Sequence, residues 1–138
     1  MRHNKSYKKL GRVSDHRNAL LRNLTRSLFI SGQIETTLIR AKALKPVVEK
    51  AVTKAKLNTV AAKRSLSGFF WGDRSVQQKA SEWSNLFKSR NGGYTRIIKL
   101  GSRRGDGAEV CRIEFVEQLS NSTKPAVKEP ASESKPKA

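Results

Sequence analysis

The chain has 138 residues, which suits one domain, and its 36% apolar content is lean beside the roughly 45–50% of an average globular protein, so its core is modest. Lys and Arg number 29 against 11 Asp and Glu, a formal charge of +18 that repels itself unless nucleic acid, an anionic membrane surface or an acidic protein neutralises it. Cys111 stands alone, which excludes an intrachain disulfide and a Cys-based zinc site. No apolar run approaches the ~18 residues of a membrane-spanning helix, and MRHNKSYKKLGR lacks the apolar stretch of a secretory signal. A soluble, cytoplasmic chain is expected.

Residues 1–13 carry Arg2, Lys5, Lys8, Lys9 and Arg12 with no acid, and read as a basic arm. Ser14 is placed to cap a helix, with Asp15 against its N-terminal dipole. Leu20, Leu21, Leu24 and Leu28 then form one helical stripe, with Arg22 and Arg26 on the opposite face. Gly32 is a natural stop in the left-handed position after a helix. Gln33 to Thr36 predicts a short strand, and Thr37 a cap for a second helix reaching about Leu57.

That second helix has Ala41, Leu44, Val48, Ala51, Val52 and Ala55 on one side, and Lys42, Lys50 and Lys54 elsewhere. Pro46 lies inside it and predicts a kink or a restart. In residues 58–72 the segment TVAAKRSL can make two helical turns, and SGFFWGD reads as a bend that tucks Phe69, Phe70 and Trp71 against the core. Asp73 or Ser75 starts a further helix with Val76, Ala80, Trp83 and Phe87 on one side, ending at Asn91, Gly92 and Gly93.

A hairpin follows, with strands over Tyr94 to Leu100 and Ala108 to Val116, and Cys111, Ile113 and Phe115 facing inward. Its connection, GSRRGDG, exposes Arg103 and Arg104. After Gln118 the composition turns to Ser, Lys, Ala, Glu and Pro without aromatics, which predicts a disordered tail over residues 119–138. The organisation expected is a basic arm (1–13), a globular domain (14–118) and the tail. The fold class is α+β, with helices packed on one side of a small three-stranded sheet.

Enzymatic readings find little support. Ser14, Asp15 and His16 hold the letters of a triad, but neighbours on a helix do not face one another. No phosphate-binding Gly-rich loop and no metal-like carboxylate pair is present. Nucleic acid has three supports. The arm and first helix bring a dense run of cations, with His3 and Tyr7 able to stack on splayed bases. Arg103 and Arg104 offer planar multi-donor heads for phosphate, and Arg96 and Lys99 extend that patch. The lysines of the second helix make the weakest case. If about eight phosphates were neutralised, the log–log salt slope would be about −6 to −7. A nucleoid-type DNA-binding protein is the alternative, although no recognition helix or half-site geometry is evident.

The opening MRH-K, the run GR-S-HR--LLRNL (Gly11 to Leu24), TTL--AK-LKPVVE (Thr36 to Glu49) and GGYTRIIKLGSRRGD (Gly92 to Asp106) resemble the bacterial large-subunit ribosomal protein family L-seventeen. The resemblance spans roughly residues 1 to 117 and keeps the order of these landmarks. It implies an α+β fold with a small mixed sheet, and a non-enzymatic role as a structural constituent of the large ribosomal subunit. The implied seat is folded 23S rRNA near the peptide exit side, beside a neighbouring protein, commonly L-thirty-two. It also implies RNA-facing roles for Arg2, His3, Lys5, Gly11, Arg12, His16, Arg17 and Arg22, and a second contact through Tyr94, Arg96, Arg103 and Arg104. With Lys8, Lys9, Arg26 and Lys99 these complete the candidate interface; no cofactor is implied. Two features depart from the family pattern: the glycines and aromatics of SLSGFFWGD, where a charged continuous helix is usual, and the long tail.

Overall fold

A computed structural model of the chain describes residues 8–117. The elements run α1 (Ser14–Ser31), β1 (Gln33–Thr37), α2 (Leu38–Lys56), α3 (Val60–Phe69), α4 (Arg74–Leu86), β2 (Thr95–Ser102) and β3 (Glu109–Phe115). The α+β class is as expected. The expectations for Arg2, His3, Lys5, Tyr7 and the tail after Gln118 lie outside the described residues.

The three strands are ordered β1-β3-β2, and both pairings are antiparallel. The sheet is therefore antiparallel throughout and not the mixed sheet the resemblance implied. The cause is topological: the hairpin sets β3 antiparallel to β2, and β3 then inserts between β2 and β1. The two parallel strands, β1 and β2, never touch as neighbours. Ile34, Ile113 and Ile97 form one inward row across the sheet, and Phe115 opposes Thr95 on the same face.

α2 lies across this face. Leu44, Val48 and Val52 are fully buried, with Ala41, Ala51 and Ala55 beside them, as the periodicity predicted. The helix continues unbroken through Pro46, so no restart occurs. Pro46 and Lys42 both lie on the exposed side, where water can take the Lys42 carbonyl that proline leaves without a donor.

Aromatic rings fill the space between helices and sheet. Trp83 stacks on Phe115 at 4.2 Å, and Phe29 meets Phe70 edge-on at 5.6 Å. The Trp83 indole N–H donates to the Phe29 carbonyl at 3.0 Å, so α4 is tied to α1 inside the core. This packing also fixes Gly32. Its φ of +76° suits glycine, and a Cβ there would sit 3.3 Å from the Trp83 ring.

Helix starts divide by residue. Asp73 caps α4, its carboxylate accepting from the Ser75 and Val76 amides at 3.0 and 3.4 Å. Thr59 caps α3 through the Ala62 amide. Ser14 does not cap α1: Val13 is the cap residue, Ser14 already lies in the first turn, and its hydroxyl faces Arg17 instead. Thr37 is the cap residue of α2 but makes no side-chain cap bond. α3 extends through Gly68 to Phe69, further than the two turns expected, and α4 stops at Leu86, short of the glycines.

Candidate nucleic-acid interface

The N-terminal part of the interface begins on a sharp turn. Leu10 and Gly11 both have positive φ, and the Arg12 amide donates to the Lys9 carbonyl at 3.2 Å. Lys8, Lys9 and His16 are exposed, whereas Arg12 and Arg17 are half-buried. The Arg12 Nε is buried without a hydrogen-bond partner among the described residues, a donor the fold leaves unmet.

Further along α1, the arginines engage the protein itself. The Arg22 guanidinium lies 5.6 Å from the ring centres of both Phe69 and Trp71. Arg26 pairs with Asp73 at 2.6 Å. Both side chains thus bridge α1 to the turn between α3 and α4. Asp73 is held below the usual carboxylate range by the Ser75 hydroxyl first, then by the Val76 amide and Arg26. Within the aromatic segment, Phe70 is fully buried and Phe69 half-buried, but Trp71 is 55% exposed. The expected tuck therefore holds for Phe70, half holds for Phe69 and fails for Trp71. The reason is backbone: Trp71 and Gly72 both take left-handed φ, +52° and +78°, which turns the indole outward.

The hairpin separates its candidates sharply. Tyr94 is 1% exposed, so its expected RNA-facing role is corrected. Its ring packs against Phe87 at 5.1 Å, and its hydroxyl accepts from Lys56 Nζ at 3.4 Å. Burying the ring against Phe87, the residue that follows α4, is worth more than leaving it in water. Arg96 lies on the sheet face away from the helices, where its Nε donates to Glu114 at 2.6 Å; the Glu114 side chain is 9% exposed. On the same face Arg112 pairs with Glu35 at 2.8 Å.

At the hairpin tip, Arg103 makes two bonds to Asp106, Nε to Oδ1 at 3.0 Å and Nη2 to Oδ2 at 2.5 Å. Arg103 and the Ala108 amide together pull the Asp106 carboxyl down to about 2. Arg104 and Lys99 are exposed, and neither makes an ion pair among the described residues. The pair Arg103 and Arg104, equivalent by sequence, are thus different devices. Arg103 braces the loop while Arg104 is the open cation.

Sequence reasoning missed one seat beneath this hairpin. The Glu49 carboxylate on α2 accepts from the Tyr94 amide (3.3 Å), the Thr95 amide (3.2 Å) and the Thr95 hydroxyl (3.1 Å). Lys56, two turns further along the same face of α2, donates to the Arg90 carbonyl at 2.6 Å. A lone acid in a Lys-rich helix was the available signal. Of the remaining lysines on α2, Lys54 bonds the Ser65 hydroxyl at 3.0 Å, and Lys42 and Lys50 stay exposed.

Comparison with known proteins bears on this geometry. The family described as Ribosomal protein L17 matches residues 20–116. A Campylobacter jejuni protein named large ribosomal subunit protein bL17 is 50% identical over 116 residues, covering 84% of this chain and 99% of the relative. Proteins of the same name from Nautilia profundicola (51% over 120 residues, 84% of this chain and 98% of the relative) and Fusobacterium nucleatum (47% over 116 residues, 84% and 100%) are also similar.

Proposed function

Because the chain belongs to the ribosomal protein L17 family, we propose that it binds folded 23S rRNA and holds it in place, acting as a structural part of the large ribosomal subunit without catalysing a reaction. The observation that carries this reading is how the acids are used. Glu35, Asp73, Glu82, Asp106, Glu114 and Glu117 are each already paired with a cation of the same chain, and Glu49 is taken by the start of β2. Asp15 and Glu109 are the carboxylates left over among the described residues, far too few to meet the surplus of Lys and Arg behind the +18 charge. An external polyanion would offset the self-repulsion that remains.

Lys8 and Lys9 ahead of α1, His16 in its first turn, and Lys99 and Arg104 on the hairpin are exposed groups offered to phosphate. Arg2, His3 and Lys5 extend the first of these along the arm, and Arg12 and Arg17 flank it. Contact dominated by phosphates is strongly salt-dependent and nearly blind to sequence, so discrimination comes from the shape of the folded RNA. A neighbouring large-subunit protein, of the kind the resemblance gave as L-thirty-two, completes the seat. The place of action is the ribosome.

Sedimentation of a lysate through a density gradient at moderate salt tests the proposal. The protein is expected in the large-subunit fractions and, after chemical probing, to protect 23S rRNA. Recovery with chromosomal DNA instead would overturn it in favour of a nucleoid role.

A further inference from the structure

We propose that Trp71, flanked by Arg22, is a stacking site for one unpaired RNA base at the turn between α3 and α4. The inference rests on the RNA-binding reading above and adds a site to it. Trp71 is 55% exposed and held at φ +52°, in a region that L side chains other than Asn and Asp seldom adopt. A large ring held in that conformation and pointing outward contributes little to the core. Strained, exposed positions of this kind are where binding groups are found.

The mount beneath the ring is firm. Arg22 stands 5.6 Å from the Trp71 centroid and equally far from Phe69. Phe69 packs edge-on against Phe70 at 4.9 Å, and Phe70 against Phe29 at 5.6 Å, so the support runs into the core. On the other side the Arg26–Asp73 pair and the Asp73 cap hold the chain as it enters α4. The indole is thus presented by a fixed backbone, and little freedom is lost when a flat partner settles on it.

The surroundings select a base over a protein partner. Protein partners dock on contiguous apolar patches. The other exposed large hydrophobics near α1, Val13 just before it and Ile30 on it, lie about 12 Å or more from Arg22 along the helix axis, and Val60 and Leu86 stand at the far ends of α3 and α4. What borders the turn is charge: Arg22, Arg26 and the exposed Arg74. An aromatic face with guanidinium groups beside it fits a nucleobase and its adjoining phosphate. Base stacking tolerates any base, so no sequence preference is expected.

The test uses the full chain and a transcript of large-subunit rRNA, with Kd from filter binding and incorporation from gradients of assembled subunits. Trp71→Ala is expected to weaken RNA binding between about 5- and 150-fold, with Trp71→Phe recovering most of the loss and circular dichroism unchanged for both. RNA is also expected to quench the emission that Trp71 adds over the Trp71→Phe variant, in which the buried Trp83 alone remains. Unchanged Kd in Trp71→Ala together with weaker binding by Arg104→Ala would overturn the stacking site and leave the RNA reading standing. Failure of the unaltered protein to bind the transcript would remove both. Loss of Trp71→Ala from subunits at unchanged RNA affinity would assign the ring to a protein neighbour and overturn the inference.

Discussion

Replacing Glu49 by Ala should detach the hairpin from α2. Its carboxylate takes three donors at 3.1 to 3.3 Å, and Thr95, which supplies two of them, is 3% exposed. Hydrogen bonds to a charged acceptor contribute about 1.5–3 kcal/mol each, but three bonds to one group are not additive and water enters part of the space left behind. A loss of about 3 kcal/mol follows. At about 4 °C per kcal/mol for a domain of this size, Tm should fall by about 12 °C, read by circular dichroism in high salt to screen self-repulsion. Glu49→Gln keeps one acceptor without the charge and should lose about half as much. Thr95→Val removes the hydroxyl donor, so the double variant should cost about 1 kcal/mol less than the two single losses combined. A Glu49→Ala loss below about 1 kcal/mol, or strict additivity in the cycle, would show that packing of Phe115 and Tyr94 seats the hairpin without the carboxylate.

Arg96→Ala should destabilise the domain by about 1–2 kcal/mol in urea titration, because it strands the nearly buried Glu114 but removes a half-exposed partner; a neutral result would free Arg96 for an external ligand. Arg104→Ala should lower the magnitude of the log–log salt slope for rRNA binding by about 1 while leaving stability within about 0.5 kcal/mol, and a change in stability without a change in slope would contradict the open-cation role. Asp106 titrates at about 2 in the folded hairpin, below its ordinary value of about 3.9. The Arg103–Asp106 brace is therefore complete above pH ~4 and its contribution fades as pH falls through about 2. A carboxyl titration by NMR with its midpoint near 3.9 would show that the brace does not form in solution.

Much of the frame was legible from local pattern. The α2 stripe, the alternation of Cys111, Ile113 and Phe115, the stop at Gly32 and the Asp73 start all depend on residues within a few positions of one another, and the structure keeps them. Charge excess likewise needs no fold to be counted. The motifs shared with the ribosomal family reach across most of the chain, so family membership was legible before any packing was known.

Tertiary structure decided which of the basic and aromatic groups remain available. Glu114 reaches Arg96 from 18 positions away, and Glu49 meets Thr95 across 46. No helical or strand period carries such pairings. The same applies to Tyr94 and Trp71. Apolar periodicity says a ring wants cover, but Phe87, just after α4, supplies it for Tyr94, and a left-handed turn withholds it from Trp71. The chain's sequence sets the sign of its surface and the faces of its elements. Long-range contacts spend some of those charges internally, and only the remainder is free to meet an external polyanion.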